Sequence, residues 1–334
     1  MRAGVTLLCF ALVGVVGCGG DGGSSGGGAG NGAQGASRSP GLRAAANPTT
    51  AQFPRPEGRT LEELAGIVNA GPQVGLATSV HTRGRSRLAF GMIGEDGRFL
   101  YGPSAVYVAD SPGAQARGPY LAPADSLLTD PPFRSRTAAS EEDAFAAVYQ
   151  ALVPFPRARR HSVLAVTRVG ERLFGAPTEV AVLPPARDPI PDVGERAPAV
   201  QTDTLASAGG DVGRIDTRVP PSDMHRRSFD AVLGKRPIAV LFATPALCQS
   251  RVCGPVVDVA AQLEKDYGDR IEFIHQEVYV ENRVQKGLRP SLRRFKLTTE
   301  PWLFTVRRDG RIAARLEGSF GLRAFEDALE AALR

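Results

Sequence analysis

Six consecutive apolar residues, 238–243, constrain this chain more than any other segment. Without polar alternation, such a run suits a strand covered on both faces, as in the middle of a parallel sheet. Gly254-Pro255 then opens a helix, proline being suited to the first helical position. Val256, Ala260, Leu263 and Tyr267 share its apolar face, and Gly268 stops it. Residues 271–274 form a second strand and residues 290–295 a short helix. Residues 302–306 and 312–316 flank Asp309-Gly310, a hairpin signal. Leu322, Phe325, Leu329 and Leu333 stripe a last helix. The order expected over residues 226–334 is therefore β-α-β-α-β-β-α.

The other end of the chain speaks to compartment. Arg2 precedes a largely apolar stretch of twelve residues, 5–16, too short for a permanent membrane span but right for the core of a signal peptide over residues 1–17. Val15-Val16-Gly17-Cys18 is similar to the lipobox of bacterial lipoproteins, which implies cleavage before Cys18 and diacylation of its sulfur. Ordinary secretion, with cleavage at a nearby small residue, is the other reading of this segment. Ten of residues 19–36 are glycine, a composition that buries too little apolar surface to order itself. Residues 18–58 are accordingly expected to be a flexible tether. The anchor would hold the protein on the extracytoplasmic face of a bacterial membrane, two or more acyl chains being enough for stable attachment.

Residues 59–185 carry strand-length segments at 74–80, 87–93, 105–109, 144–153, 161–168 and 178–183, separated by turn signals such as Glu95-Asp96-Gly97. Short strands without helical periodicity predict an all-β, Ig-like sandwich. Residues 153–156 followed by 160–163 look like an Ig-like strand pair joined by a short turn, and residues 112–142 read as a long loop. His81 and His161 are expected at its surface. Prolines 184, 185, 189, 191 and 198, then Gly209-Gly210, mark residues 186–225 as a linker. The fold class expected is thus multidomain, an all-β sandwich followed by an α/β domain. The net charge is +5, but only four of the 40 basic residues are lysine and no basic run is interleaved with aromatics, so no nucleic-acid partner is expected.

Of the four cysteines, Cys9 leaves with the signal peptide and Cys18 carries lipid, which leaves Cys248 and Cys253 in the folded part, in an oxidising setting. Cys253 begins a helix, where unpaired N–H groups and the helix dipole favour thiolate. It is the expected nucleophile, and Cys248 the only candidate to resolve it. Four residues separate the two, so they meet only if the loop bends; Pro245 and the absence of periodicity in 244–252 allow this.

The element order, with Cys253-Gly254-Pro255 at the first helix and Glu300-Pro301 before the hairpin, resembles the thioredoxin-like domains of membrane-tethered, extracytoplasmic thiol–disulfide oxidoreductases. Val193-Gly194-Glu195-Arg196-Ala197-Pro198 is similar to the lead-in peptide before many such domains. The resemblance covers residues 226–334. It implies a thioredoxin-like fold, a cis-proline at Pro301, exchange with protein thiols or disulfides through Cys253 and Cys248, and substrate backbone positioned by Glu300 and Pro301. No cofactor is implied. The sequence departs from the family where Val256 replaces the second cysteine of its motif, where Val252 replaces a tryptophan, and where the first strand has an apolar residue, Leu241, in place of a buried acid.

Two other readings stand beside exchange. The cysteine pair could form a static disulfide in a non-catalytic binding or scaffold lipoprotein. Alternatively, Cys248, Cys253 and His275 could hold Cu(I), two thiolates and an imidazole being suited to it. Sco-type copper chaperones place a cysteine pair in the corresponding loop, though with three intervening residues and a histidine much further downstream. Met224-His225 adds soft donors in the linker.

Overall fold

The computed structural model describes residues 39–141 and 146–334; the signal segment, Cys18 and the glycine-rich run lie outside the described residues. Over those residues the chain is a mixed, sheet-rich protein with three sheets and few helices. Two short helices come first, α1 (Pro40–Ala45) and α2 (Leu61–Gly66). Nine strands follow: β1 (Gln73–Leu76), β2 (His81–Thr82), β3 (Gly84–Ile93), β4 (Ser104–Ala109), β5 (Arg117–Leu121), β6 (Ala124–Ser126), β7 (Ala147–Phe155), β8 (Arg160–Val169) and β9 (Arg172–Leu183). They form one sheet of order β1-β3-β7-β6 and another of order β2-β9-β8-β4-β5. Side chains of both sheets, among them Phe90, Tyr149, Val106 and Val163, share one buried cluster.

Four expectations need correction here. The stretch 112–142 is not all loop, because β5 pairs with β4 and β6 pairs with β7; Pro119 and the shortness of β6 hid both strands from a periodicity argument. Strands β7 and β8 do not pair with each other, and residues 156–159 carry the chain from one sheet to the other. His81 and His161 are buried, the second with its Nε2 2.9 Å from the Arg157 carbonyl. The tether does not extend to residue 58. Residues 39–58 include α1 and a 3₁₀ turn, with Leu42, Ala45 and Phe53 buried, since these apolar side chains supply what the glycine run lacks.

The C-terminal part follows the predicted order after one short helix that the sequence reading did not include. After α3 (Phe229–Val232) come β10 (Ile238–Phe242), α4 (Cys253–Tyr267), β11 (Glu272–Gln276), α5 (Pro290–Arg294), β12 (Trp302–Val306), β13 (Ile312–Glu317) and α6 (Leu322–Leu333). The sheet order is β11-β10-β12-β13. β10 is parallel to β11 and antiparallel to β12, which is antiparallel to β13. All five β10 side chains are buried, as its unbroken apolar sequence required.

Residues 186–225 contain no strand or α-helix, yet they are an ordered strap. Gly194 donates to the Ile312 carbonyl and Ile312 to that of Glu195, both at 2.9 Å, so the lead-in peptide lies along β13. Further on, His275 donates to the Met224 carbonyl at 3.0 Å, which places the end of the strap on the outer edge of β11.

The β-rich part and the C-terminal part lie in one compact unit. Their cores merge, since the cluster holding Phe90 and Tyr149 also holds Leu241, Cys253, Val256 and Phe325. Buried polar groups lock the seam. The Asp125 carboxylate accepts from the backbone N–H groups of Gly321, Arg323 and Ala324 at 2.9–3.0 Å, capping α6 from another sheet. Arg87 donates to the carbonyls of Glu317 and Ser319, and the Glu317 carboxylate accepts from the backbone of Ser79 and Val80. Gly318, at φ +72°, lies so close to the Ala77 carbonyl that a Cβ would fall 1.6 Å from it.

Candidate functional site

The loop between β10 and α4 bends, as the cysteine spacing demanded. Leu247 and Cys248 both donate to the Thr244 carbonyl, Arg251 donates to that of Cys248 at 3.2 Å, and Arg251 takes a left-handed conformation at φ 60°. This folds Cys248 back over the start of α4. Both cysteines are free thiols; they lie near one another, within side-chain hydrogen-bonding reach, without being bonded.

The acid–base order of the pair reverses the sequence expectation. Cys248 is drawn down to about 6 from its ordinary value of 9.0, chiefly because the Cys253 thiol donates to its sulfur. Burial opposes this; the Ser250 hydroxyl, 3.2 Å away, and the backbone N–H groups of Cys253 and Val252 add to it. Cys253 is pushed well above the ordinary thiol value, first by complete burial and then by the neighbouring Cys248 sulfur, with Glu300 adding repulsion. The positive end of α4 therefore serves Cys248, which lies outside the helix, and not Cys253, its first residue. Residue spacing alone does not encode the turn that delivers Cys248 to those N–H groups.

Two hollows flank the pair. Cys248 opens onto one of about 420 Å³ walled by Arg136, Thr137, Pro245, Arg251 and Pro255. The second, about 690 Å³ and mostly apolar, has Ser250, Val252 and Glu300 on one side and Leu76, Ile93 and Phe99 on the other. The Glu300–Pro301 peptide bond is cis, and the Glu300 carboxyl is raised by burial and by the Cys248 charge. Arg251 is exposed and is not among the groups that move either thiol. Residues 136–139, from the stretch before β7, reach the start of α4, where Thr137 sits against Gly254. The β-rich part thus supplies walls on both sides of the cysteines.

His275 does not join the sulfurs, which corrects the proposed copper set of Cys248, Cys253 and His275. It lies on β11 with Asp216 and His225, and their ligating atoms all fall within 4.8 Å of one another. This is the one such group of three or more potential ligands found among the described residues. Asp216 was missed because it stood in a proline-rich segment with no periodicity; the nearby Met224-His225 pair was the available signal. His275 is fully buried on β11, and its Nε2 lies 3.1 Å from the Ala243 carbonyl. Cys18, the expected lipidation residue, lies outside the described residues, and no helix among them is long and apolar enough to cross a membrane.

No protein-family model matches the chain. No curated protein matches it either.

Proposed function

We propose that this chain is a lipid-anchored, extracytoplasmic protein whose C-terminal part is thioredoxin-like and exchanges disulfides with protein substrates through Cys248 and Cys253. The sheet order β11-β10-β12-β13, with α4 between its two parallel strands, supports the fold assignment. The β-rich part is an Ig-like module in this reading, set against the redox domain so that its loops line the site. One observation carries the activity: the loop folds Cys248, whose thiol is drawn down to about 6, back over the start of α4 beside the buried Cys253 thiol.

Cys248 is then the nucleophile and Cys253 the resolving thiol, the opposite of the order expected at the helix start. The Cys248 thiolate attacks one sulfur of a substrate disulfide and expels the other as thiolate, which takes up a proton. Cys253 loses its proton and attacks the Cys248 sulfur of the mixed disulfide. The Cys248–Cys253 bond forms, the second substrate sulfur leaves as thiol, and the pair has given up two electrons. The reverse sequence oxidises a dithiol. Glu300 and Pro301 border the approach and would position substrate backbone as an added strand.

Single variants test this in an exchange assay with a model disulfide. Cys253→Ser should accumulate a mixed disulfide on Cys248, and Cys248→Ser should exchange nothing. If neither change alters exchange, the enzymatic reading is lost. A pair potential below about −300 mV would mark a structural bond in a binding or scaffold protein instead.

A further inference from the structure

The strap and β11 bring a second, separate constellation together. Asp216 Oδ2 lies 3.0 Å from His225 Nε2 and 3.5 Å from His275 Nδ1. Ser222 Oγ lies 2.9 Å from the same carboxylate oxygen and 3.4 Å from His225 Nε2. Asp216 and His275 are wholly or almost wholly buried, and Ser222 and His225 nearly so. Ser222 Oγ, His225 Nε2 and His275 Nδ1 thus gather around one buried carboxylate oxygen, which also accepts from the Ser222 backbone N–H at 2.8 Å. The spacing has chemical meaning: bonds of about 2.0–2.2 Å from zinc to nitrogen and oxygen place tetrahedral ligands about 3.3 Å apart.

The orientation of His275 supplies an independent pointer. A carbonyl only accepts, so the Ala243 oxygen 3.1 Å from Nε2 assigns the ring proton to that nitrogen. Nδ1, which in a neutral ring is left with a lone pair, faces the centre of the cluster, and it is fully buried with no hydrogen-bond partner. In a neutral ring that lone pair would face the Asp216 carboxylate, acceptor against acceptor; a cation between them makes ligands of both. Metal-bound histidines characteristically donate their second nitrogen to a backbone carbonyl, as His275 does. The other oxygen of Asp216 is fixed by the Arg218 backbone N–H at 2.8 Å, which orients the carboxylate from behind.

We infer that Asp216, His225 and His275, with Ser222 as fourth ligand, form a closed site for a divalent cation of zinc type. Two imidazoles, a carboxylate and a hydroxyl suit a borderline ion, and no thiolate takes part, so the soft Cu(I) ion is disfavoured. Strap and strand each supply ligands, so the ion clips residues 216–225 to the edge of β11. The clip bears on the cysteine loop, because Thr217, next to Asp216, accepts from the backbone N–H of Ala246 at 3.1 Å. The inference stands whether or not the cysteines exchange disulfides.

The test uses the full chain with its four cysteines changed to serine, stripped with chelator and dialysed against zinc chloride. One equivalent of zinc should be retained, and His275→Ala and His225→Gln should each weaken it by about 100-fold or more. Absence of uptake by the folded chain overturns the site, as does uptake unchanged in either histidine variant. Two imidazolium rings seen by nitrogen NMR in a chain that takes up no zinc would identify a buried ion network instead. Should the histidine variants not fold, cobalt(II) added to the chain with the cluster intact decides. The intense visible bands of four-coordinate cobalt support the site, and the weak bands of six-coordinate cobalt overturn it.

Discussion

Cys248 borders a hollow while its neighbour Cys253 is wholly buried, and the two thiols shift in opposite directions, Cys248 down beside Cys253 and Cys253 up through burial, so the proton of the pair rests on the more buried residue. Alkylation of the reduced protein should therefore label Cys248 first, with a rate that rises through a midpoint near pH 6. Cys253→Ala removes the donor and should move the midpoint up by about one to two pH units, since a hydrogen bond to a charged group is worth about 1.5–3 kcal/mol. Cys253→Ser retains a donor and should shift it less. A midpoint unmoved in the alanine variant would show that the thiolate is held by the Ser250 hydroxyl and helix N–H groups alone.

The same depression links to stability. A thiol whose pKa is lower folded than unfolded binds fewer protons in the folded state between the two values. Cys248 should thus stabilise the reduced protein above its ordinary value of 9.0, and that gain should disappear as pH falls through about 6. Denaturant midpoints measured under reducing conditions should rise with pH across this window, and the slope should flatten in Cys248→Ser.

Arg218 makes a buried pair with Asp258 at 2.8 Å and also donates to the carbonyls of Phe133 and Pro220, so one side chain ties the strap to α4 and to the β-rich part. Asp258 accepts from Ser135 as well. Arg218→Met leaves a buried carboxylate without its cation and should cost about 3–5 kcal/mol. Adding Asp258→Asn removes the stranded charge and should restore part of that loss. If the double variant is no more stable than Arg218→Met, the pair is not the source of the effect.

The C-terminal part was legible because its elements are continuous in sequence. The unbroken run at 238–243, the stripe at Val256, Ala260 and Leu263, and Asp309-Gly310 each announce one element from within a dozen residues. The β-rich part was legible where strands are long, and illegible at β5 and β6, which are held by neighbours more than by their own pattern. The site divides in the same way. Cys248, Cys253 and Glu300 were visible as residue types, but the charge order of the thiols depends on a turn at Arg251 that brings Cys248 onto the helix start. Asp216 and Arg218 were invisible because strap residues acquire partners only through contacts far along the chain, such as His275 and Asp258.

Asp125 caps α6 across the seam, accepting from three backbone N–H groups. Burial pushes its carboxyl up, while those three donors and Arg323 pull it back. Asp125→Ala strands the donors in a buried place and should cost about 2–4 kcal/mol. Asp125→Asn keeps an accepting oxygen and should cost less. Hydrogen exchange should quicken at Gly321, Arg323 and Ala324 in the alanine variant before it quickens elsewhere. Uniform quickening across all sheets would mean that α6 does not open separately from the rest.

Gly254 is the point where the β-rich part touches the start of α4. A Cβ there would lie 2.2 Å from Thr137 Oγ1, 2.8 Å from its Cβ and 3.1 Å from its carbonyl oxygen. Alanine is the better helix residue by about 1 kcal/mol, so an open helix start would gain from Gly254→Ala. Here the contact is with the body of a β-branched residue and its backbone, which cannot swing aside as the tip of a long side chain can. Residues 136–139 must shift, and overpacking of this kind costs about 1–3 kcal/mol. Gly254→Ala should thus lower the thermal midpoint and quicken alkylation of Cys248, which shares a hollow with that loop. Thr137→Gly removes the Oγ1 and Cβ contacts, so the double variant should regain most of the stability. Gly254→Ala that stabilises the protein and leaves the alkylation rate of Cys248 unchanged would show that the loop does not seat on the helix start.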